Sequence, residues 1–323
     1  MPQRHAGHAR HAIGALARGA LARGALRASS GLVVVALAAA CATTPAHTND
    51  GGKIRVVAAE DFWGSIARSL GGDHVAVDAL INSPVIDPHD YEPTASDARA
   101  VATAGVVVVN GVGYDGWASK LLAANPSSRR STIDVGKVVG AKSGDNPHRW
   151  YNPDDVRAVV TAITNAYSSA DPRDAAYFAE QRDRYEAGDL GRYEQLIADI
   201  KAKYAGTPVG ASESIFAMLA PALGLRLITP GSFMRAISEG ADPTASDKRL
   251  IDKQIRDRDI KVYVYNSQNT TPDVRAQVNA ATAAGIPVVA ITESPVPATA
   301  SFTDWQIAQL NALQAALAKG AHE

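Results

Sequence analysis

One cysteine in 323 residues, Cys41, excludes any intramolecular disulfide. The apolar run from Gly31 to Ala40 is ten residues, half of the roughly 20 that cross a bilayer. No later segment reads as a span, so no transmembrane helix is expected in the mature chain. An excess of charge of one sign is also missing, with 32 basic residues against 33 acidic ones. That balance argues against a nucleic-acid or anionic-membrane partner, since both need basic patches. Neither an HExxH helix nor a nucleophile elbow occurs, and the glycine cluster Gly111-Val112-Gly113 lacks the third glycine of a dinucleotide-binding turn. Aromatic residues make up only 6%, which together with abundant alanine points to helix-rich α/β packing. Beyond residue 47 there are four histidines: His74, His89, His148 and His322.

What is present begins with a basic, acid-free N-terminus: Arg4, Arg10, Arg18, Arg23 and Arg27, followed by the ten-residue apolar run. A basic stretch, a short apolar stretch and small residues before a cut make a secretory signal, here residues 1–40. A lone thiol at that cut resembles the lipidated first residue of a bacterial lipoprotein, with Ala38 where leucine is usual. The membrane partner is then reached through acyl chains on Cys41, each buried methylene contributing roughly 0.8 kcal/mol. Residues 41–52 read as a flexible tether. Setting the five arginines aside leaves 27 of the 32 basic residues against 33 acidic ones, an acidic exported body compatible with cations.

Strand-length apolar runs then alternate with helical patterns. Strands are expected at 53–59, 74–81, 105–110 and 131–135, and helices at 62–70, 96–103 (with Ser96 as cap), 117–124 and 154–169. Val106-Val107-Val108-Val109 is the continuous apolar kind found in parallel sheets covered on both faces. From Asp171 a helical pattern runs to about 204, with Pro172 suited to its first turn and Gly188 and Gly191 as bending points. Strands resume at 207–212, 225–229, 260–265 and 286–291, with helices from Glu213 to 223 and at 246–258, 272–284 and 302–319; residues 230–243 read as irregular. The design is an α/β lobe over 53–170, a long linking helix over 171–204 and a second α/β lobe over 205–323.

Two segments carry the chemistry: Asp87-Pro88-His89-Asp90-Tyr91-Glu92-Pro93 and Asn146-Pro147-His148-Arg149-Trp150-Tyr151-Asn152-Pro153. Each sets a histidine directly after a proline, with an aromatic residue two positions on. Proline fixes its own φ and holds its predecessor extended, so each imidazole is aimed before a ligand arrives. Imidazole is the commonest protein ligand for transition metals. Ligands of open parallel sheets bind beyond the carboxyl ends of strands. The first lobe there offers His89 and His148, and the second offers Glu213 and Glu293. Two carboxylates neutralise a dication, and the mixed nitrogen and oxygen set suits Mn²⁺, Fe²⁺ or Zn²⁺. Other readings stay open. A loop histidine can be an ordinary hydrogen-bonding residue, Glu213 a helix-terminal carboxylate placed for the dipole, and Glu293 a solvated loop residue. Asp304 is a substitute for Glu293, although its place in the first turn of the last helix suits capping. Asn266 is a weaker ligand. Trp63, Tyr91 and Trp150 are packing residues or line the cleft, and His74 and His322 are structural or exposed.

These motifs resemble the metal-binding lipoproteins of bacterial ABC importers for zinc and manganese, the cluster A-I or family 9 solute-binding proteins. The resemblance covers roughly residues 53–318. The Asp87–Pro93 segment, continuing to Ser96-Asp97, and the Asn146–Pro153 segment are similar to the family's first and second ligand signatures. Ala211-Ser212-Glu213-Ser214-Ile215-Phe216 resembles the third, where zinc members carry histidine and manganese members often carry glutamate. Ile291-Thr292-Glu293-Ser294 resembles the fourth, where aspartate is usual. The resemblance implies two lobes with four-stranded parallel sheets, joined by one long backbone helix, with the metal in the interlobe cleft. It implies a non-enzymatic monomer that captures Zn²⁺ or Mn²⁺ outside the membrane and delivers it to a permease. Glu213 and Glu293 in place of His and Asp, and the lack of a His-rich loop between 137 and 146, lean towards Mn²⁺ on ligand hardness. The competing functions are a zinc hydrolase and an adhesin-type surface lipoprotein. A catalytic zinc keeps three protein ligands and an open position, which four apparent ligands oppose.

Overall fold

The computed structural model describes residues 52–86, 88 and 91–321. The expected signal segment, Cys41, nearly all of the tether, His89 and His322 lie outside the described residues. The first sheet is built from β1 (Ile54–Glu60), β2 (Val75–Ile81), β3 (Val106–Val109) and β4 (Ser131–Asp134), all parallel, in the order β2-β1-β3-β4. Pairing runs from Ile54↔Val75 to Glu60↔Ile81, and all four valines of β3 are buried, as a central strand covered on both faces requires. On one face α1 (Asp61–Gly71) buries Phe62, Trp63, Ile66 and Leu70. The other face is covered by α2 (Ala95–Thr103) and α3 (Gly116–Ala124), which close a smaller apolar cluster with Val57, Val107 and Trp117.

The cap of α2 is Thr94, not Ser96. Its hydroxyl accepts from the Ser96 and Asp97 amides (3.2 and 3.3 Å), while Asp97 accepts the Thr94 amide (2.6 Å), a reciprocal capping box. Next come α4 (Val135–Val138) and α5 (Pro153–Ala170). The α5 helix starts on a proline behind Asn152, whose side chain accepts from the Asp154 amide at 3.0 Å.

The linking helix begins at Ala175. Asp171 accepts the Arg173 amide and winds Pro172–Asp174 into a single 3₁₀ turn first. From there α6 (Ala175–Tyr185) passes through a π turn (Glu186–Leu190) into α7 (Gly191–Tyr204). The expected bend at the glycines is thus one extra residue in one turn. A Cβ at Gly191 would sit 2.9 Å from the Glu186 carbonyl oxygen, whereas one at Gly188 would meet nothing within 4 Å. The π turn lies at the changeover, since α6 packs against α1 and α5 and α7 packs against the last helix.

The second sheet repeats the first: β5 (Pro208–Ala211), β6 (Arg226–Leu227), β7 (Val262–Asn266) and β8 (Val288–Ile291), parallel, in the order β6-β5-β7-β8. Around it lie α8 (Ser214–Leu219), α9 (Gly231–Ser238), α10 (Ala245–Arg256), α11 (Pro272–Ala283) and α12 (Phe302–Ala321). The α9 helix replaces the irregular stretch expected at 230–243. It buries Phe233, Met234 and Ile237, an i, i+1, i+4 pattern too short to register between Pro230 and Gly240. One apolar core runs from the first sheet through α5, α6 and α7 to the second, with Trp63, Trp150 and Trp305 fully buried. No described helix is long and apolar enough to cross a membrane.

Candidate metal centre

A cleft of about 1190 Å³ is lined by the segments that follow β2, β3 and β4 of the first sheet and β5 to β8 of the second. Both sheets therefore turn their carboxyl ends to one space, where ligands of parallel sheets bind. Pro84, Pro88, His148, Ser214, Gln268 and Glu293 are among its walls.

His148 is 1% exposed and fixed from several sides. Asn146 accepts the His148 backbone amide (3.1 Å) and lies 2.7 Å from ring Nδ1 through the same oxygen, while its Nδ2 donates to the Ser214 carbonyl at 2.6 Å. With both ends of that amide committed, its oxygen must face Nδ1. The ring then donates Nδ1–H and keeps Nε2 for the cleft. The adjoining Pro147 carbonyl accepts from Asn110 (2.9 Å), which in turn accepts the Trp63 indole N–H (3.1 Å). Trp150 stacks on Phe62 at 4.0 Å between centroids and meets the His148 ring edge-on at 5.3 Å. Trp63 and Trp150 thus pack and orient at once.

Across the cleft, His148 Nε2 lies 3.1 Å from Glu293 Oε1. Glu293 is therefore not a solvated loop residue; its side chain is only 16% exposed. Glu213 is 1% exposed. Its Oε2 accepts from Asn266 (3.0 Å), and its Oε1 has no partner. It makes no side-chain bond to the amides of α8, so it does not serve that helix as a cap. Burial pushes its carboxyl up to about 8, with the charge of Glu293 adding to the effect and the side-chain amides of Asn266 and Asn269 opposing it. Among the described residues no three His, Cys, Asp or Glu side chains already stand at metal-bonding spacing. His148 and Glu293 are together, and Glu213 lies within electrostatic reach of Glu293.

Asp304 is elsewhere. Its side chain is 64% exposed, bonded to the cap residue Ser301 at 2.8 Å and 3.6 Å from Arg192. Of the residues beside His89, Pro88 and Tyr91 are described, and both are held. The Trp117 indole donates to the Pro88 carbonyl (3.1 Å), and Tyr91 packs edge-on against Trp117 and donates to Asp97 (2.8 Å). His74 stacks on Tyr177 and pairs with Asp174, a structural role. Two more buried carboxyls, Glu60 and Asp115, end up near the carboxyl edge of the first sheet without lining the cleft. Burial raises both, Asp115 to about 6.

The sequence reading missed the amides that hold this arrangement: Asn146, Gln268, and Asn266 as a support for Glu213. Their one signal is position, directly before a Pro-His pair or at the end of a buried strand.

The family model described as zinc-uptake complex component A, periplasmic, matches residues 56–316. The chain belongs to that family. Zinc-uptake component A proteins are substrate-binding components of ABC transporters and not enzymes, so the hydrolase alternative falls away. Among similar proteins is the manganese-binding lipoprotein MntA of Halalkalibacterium halodurans, 27% identical over 175 residues. That match covers 52% of this chain and only 57% of the relative's length. The manganese ABC transporter substrate-binding lipoprotein PsaA of Streptococcus pneumoniae is 23% identical, over 72% of this chain and 79% of its own. In fold, the chain is similar to the periplasmic zinc-binding protein TroA from Treponema pallidum, with a TM-score of 0.69, 18% identity, and coverage of 82% of this chain and 99% of that one. It is similar also to FpvC from Pseudomonas aeruginosa, solved with Ni²⁺, with a TM-score of 0.66, 20% identity, and coverage of 83% and 97%.

Proposed function

We propose that this member of the zinc-uptake component A family captures a divalent transition metal, Zn²⁺ or Mn²⁺, outside the membrane and hands it to an ABC importer permease. In this reading His89, His148, Glu213 and Glu293 are the ligands, Cys41 carries a lipid anchor, and the chain works as a monomer. The metal is cargo, and no covalent step is involved.

The observation that carries the reading is Glu213 Oε1, a buried carboxyl oxygen without a hydrogen-bond partner, next to a second carboxylate that stands 3.1 Å from the His148 Nε2. Ionising a carboxyl in such a place is costly, so Glu213 keeps its proton until a cation arrives. A dication offsets both carboxylates at once and takes the Nε2 lone pair that the Asn146 bond leaves free. Ligand hardness favours Mn²⁺ or Fe²⁺, whereas the Irving–Williams order makes Zn²⁺ the tighter binder at almost any such site. Relatives are named for manganese and iron, one fold neighbour is named for zinc, and another was solved with Ni²⁺ bound.

The test is calorimetric titration of chelator-stripped protein with Mn²⁺ and Zn²⁺. His89→Ala and His148→Ala are each expected to weaken binding at least about a hundredfold while leaving the fold intact, as losing a ligand exceeds the 10–100-fold of losing an outer support. Unchanged affinity in both variants would overturn the site. Elemental analysis of protein purified from its own cells under metal limitation identifies the cargo.

A further inference from the structure

Gln268 follows β7 and bonds to the end of that strand and to two other segments of the chain. Its backbone amide donates to the Asn266 side-chain oxygen (2.9 Å), whose Nδ2 donates to Glu213. Its own Oε1 accepts the amides of Glu293 (2.7 Å) and Ser294 (3.0 Å). Its Nε2 donates across the cleft to the Pro84 carbonyl (3.2 Å), in the segment that leads to His89. The carbonyl on one side and the two amides on the other leave one orientation for the Gln268 amide. One half-buried side chain thus holds the turn that carries Glu293 and reaches the opposite lobe, while the backbone of the same residue supports Asn266, the partner of Glu213.

We infer that Gln268 is a positioning residue for metal capture, one that aims the Glu293 carboxylate at His148 Nε2 and ties that aim to the Pro84 carbonyl of the opposite lobe. The inference rests on Glu293 being a ligand. The turn after Glu293 has no other described side chain holding its first two amides. Without Gln268 the carboxylate keeps its charge and loses its direction. A metal site depends on direction as well as charge, and outer supports of ligands typically govern about 10–100-fold in affinity. The cross-cleft bond adds a kinetic consequence, because releasing the metal by parting the lobes requires breaking it.

The experiment is a double-mutant cycle on chelator-stripped protein, with Mn²⁺ and Zn²⁺ affinities measured by competition against a chelating dye and dissociation followed by stopped flow. Gln268→Met, of similar length but without either bond, is expected to weaken binding about 10–100-fold in the native background, mostly through faster dissociation. In a Glu293→Gln background the same change is expected to cost less than about threefold, because no anionic ligand is left to aim. A merely structural role predicts equal losses in both backgrounds, and that result overturns the inference while leaving the site intact. So does a Gln268→Met protein that binds like the native one. If Glu293→Gln alone leaves affinity unchanged, the ligand assignment fails and the inference fails with it. Gln268→Asn, one methylene too short to reach the amides, serves with the same expected outcomes if Gln268→Met does not fold.

Discussion

Replacing Glu213 by glutamine is expected to make the metal-free protein more stable and the metal-binding protein worse. An ordinary glutamate titrates near 4.5, whereas burial and Glu293 push Glu213 up to about 8. Between those values the folded state holds a proton that the unfolded state has released, so stability falls as pH rises through this window. At pH 7 the gap is 2.5 units above the ordinary value, which at about 1.4 kcal/mol per unit gives a cost of about 3 kcal/mol. Glutamine keeps an oxygen for the Asn266 bond (3.0 Å in the native pair) and never carries the charge. Its extra N–H₂ must find an acceptor, which takes back about 1–2 kcal/mol. The net expectation at pH 7 is a gain of about 1–2 kcal/mol, a rise in Tm of about 2–6 °C. At pH 5 the native cost shrinks to below about 1 kcal/mol, so the advantage should vanish. Metal affinity, in contrast, should fall at least about a hundredfold, or about 3 kcal/mol, because one of the two compensating charges is gone.

The assay is a pair of thermal melts, with chelator and with saturating Mn²⁺, at pH 5, 6, 7 and 8. Calorimetry in buffers of different ionisation enthalpy adds the proton count. Native protein at pH 7 should release about one proton per metal, and the variant fewer. A metal-free gain that is the same at pH 5 and pH 7, or a variant that binds metal as tightly as the native chain, would refute the reasoning.

Asn146→Ala removes the acceptor that sets the His148 tautomer, and should weaken metal binding about 10–100-fold with only a small loss in Tm, measured by chelator competition and melting. Gly191→Ala should lower stability by about 1–3 kcal/mol, since its Cβ would press on the Glu186 carbonyl, whereas Gly188→Ala should raise it by about 0.5–1 kcal/mol. Denaturant titrations that move both variants in the same direction would contradict this. Adding metal at a hundred times its Kd should stabilise the folded state by about 2.7 kcal/mol, read as a higher Tm. That shift should be lost in His148→Ala.

Much of the fold was legible because its signals are local. The four valines of β3 could only be an enclosed strand, and the Pro147-His148 pair is enough by itself to mark an aimed imidazole. The order of both sheets was not legible, since nothing along a strand names its neighbour; here the family resemblance supplied the architecture. The α9 helix was lost because three buried residues between a proline and a glycine make too short a period. Thr94 was overlooked as a cap because Asp97, not Glu, closes the box. Within the site, the carboxylates could be proposed from their place at strand ends. What holds them could not. Asn266, Gln268 and Asn146 act through bonds of 53, 25 and 68 residues' separation, to Glu213, Glu293 and Ser214, which only the folded chain brings together. Asp304 is the converse case, sharing its charge type with Glu293 while the start of α12 turns it outward.

The π turn at Glu186–Leu190 has a consequence for how this molecule tolerates change in length. Each residue in a helix contributes about 1.5 Å of rise and a rotation of about 100°. Deleting one residue here would restore a regular helix and swing everything beyond it by more than a quarter of a circle, carrying Glu213 and Glu293 off the axis of His148. The extra residue therefore acts as a phase setting between the halves. Insertions and deletions that surface loops absorb freely should be barred from this one helix.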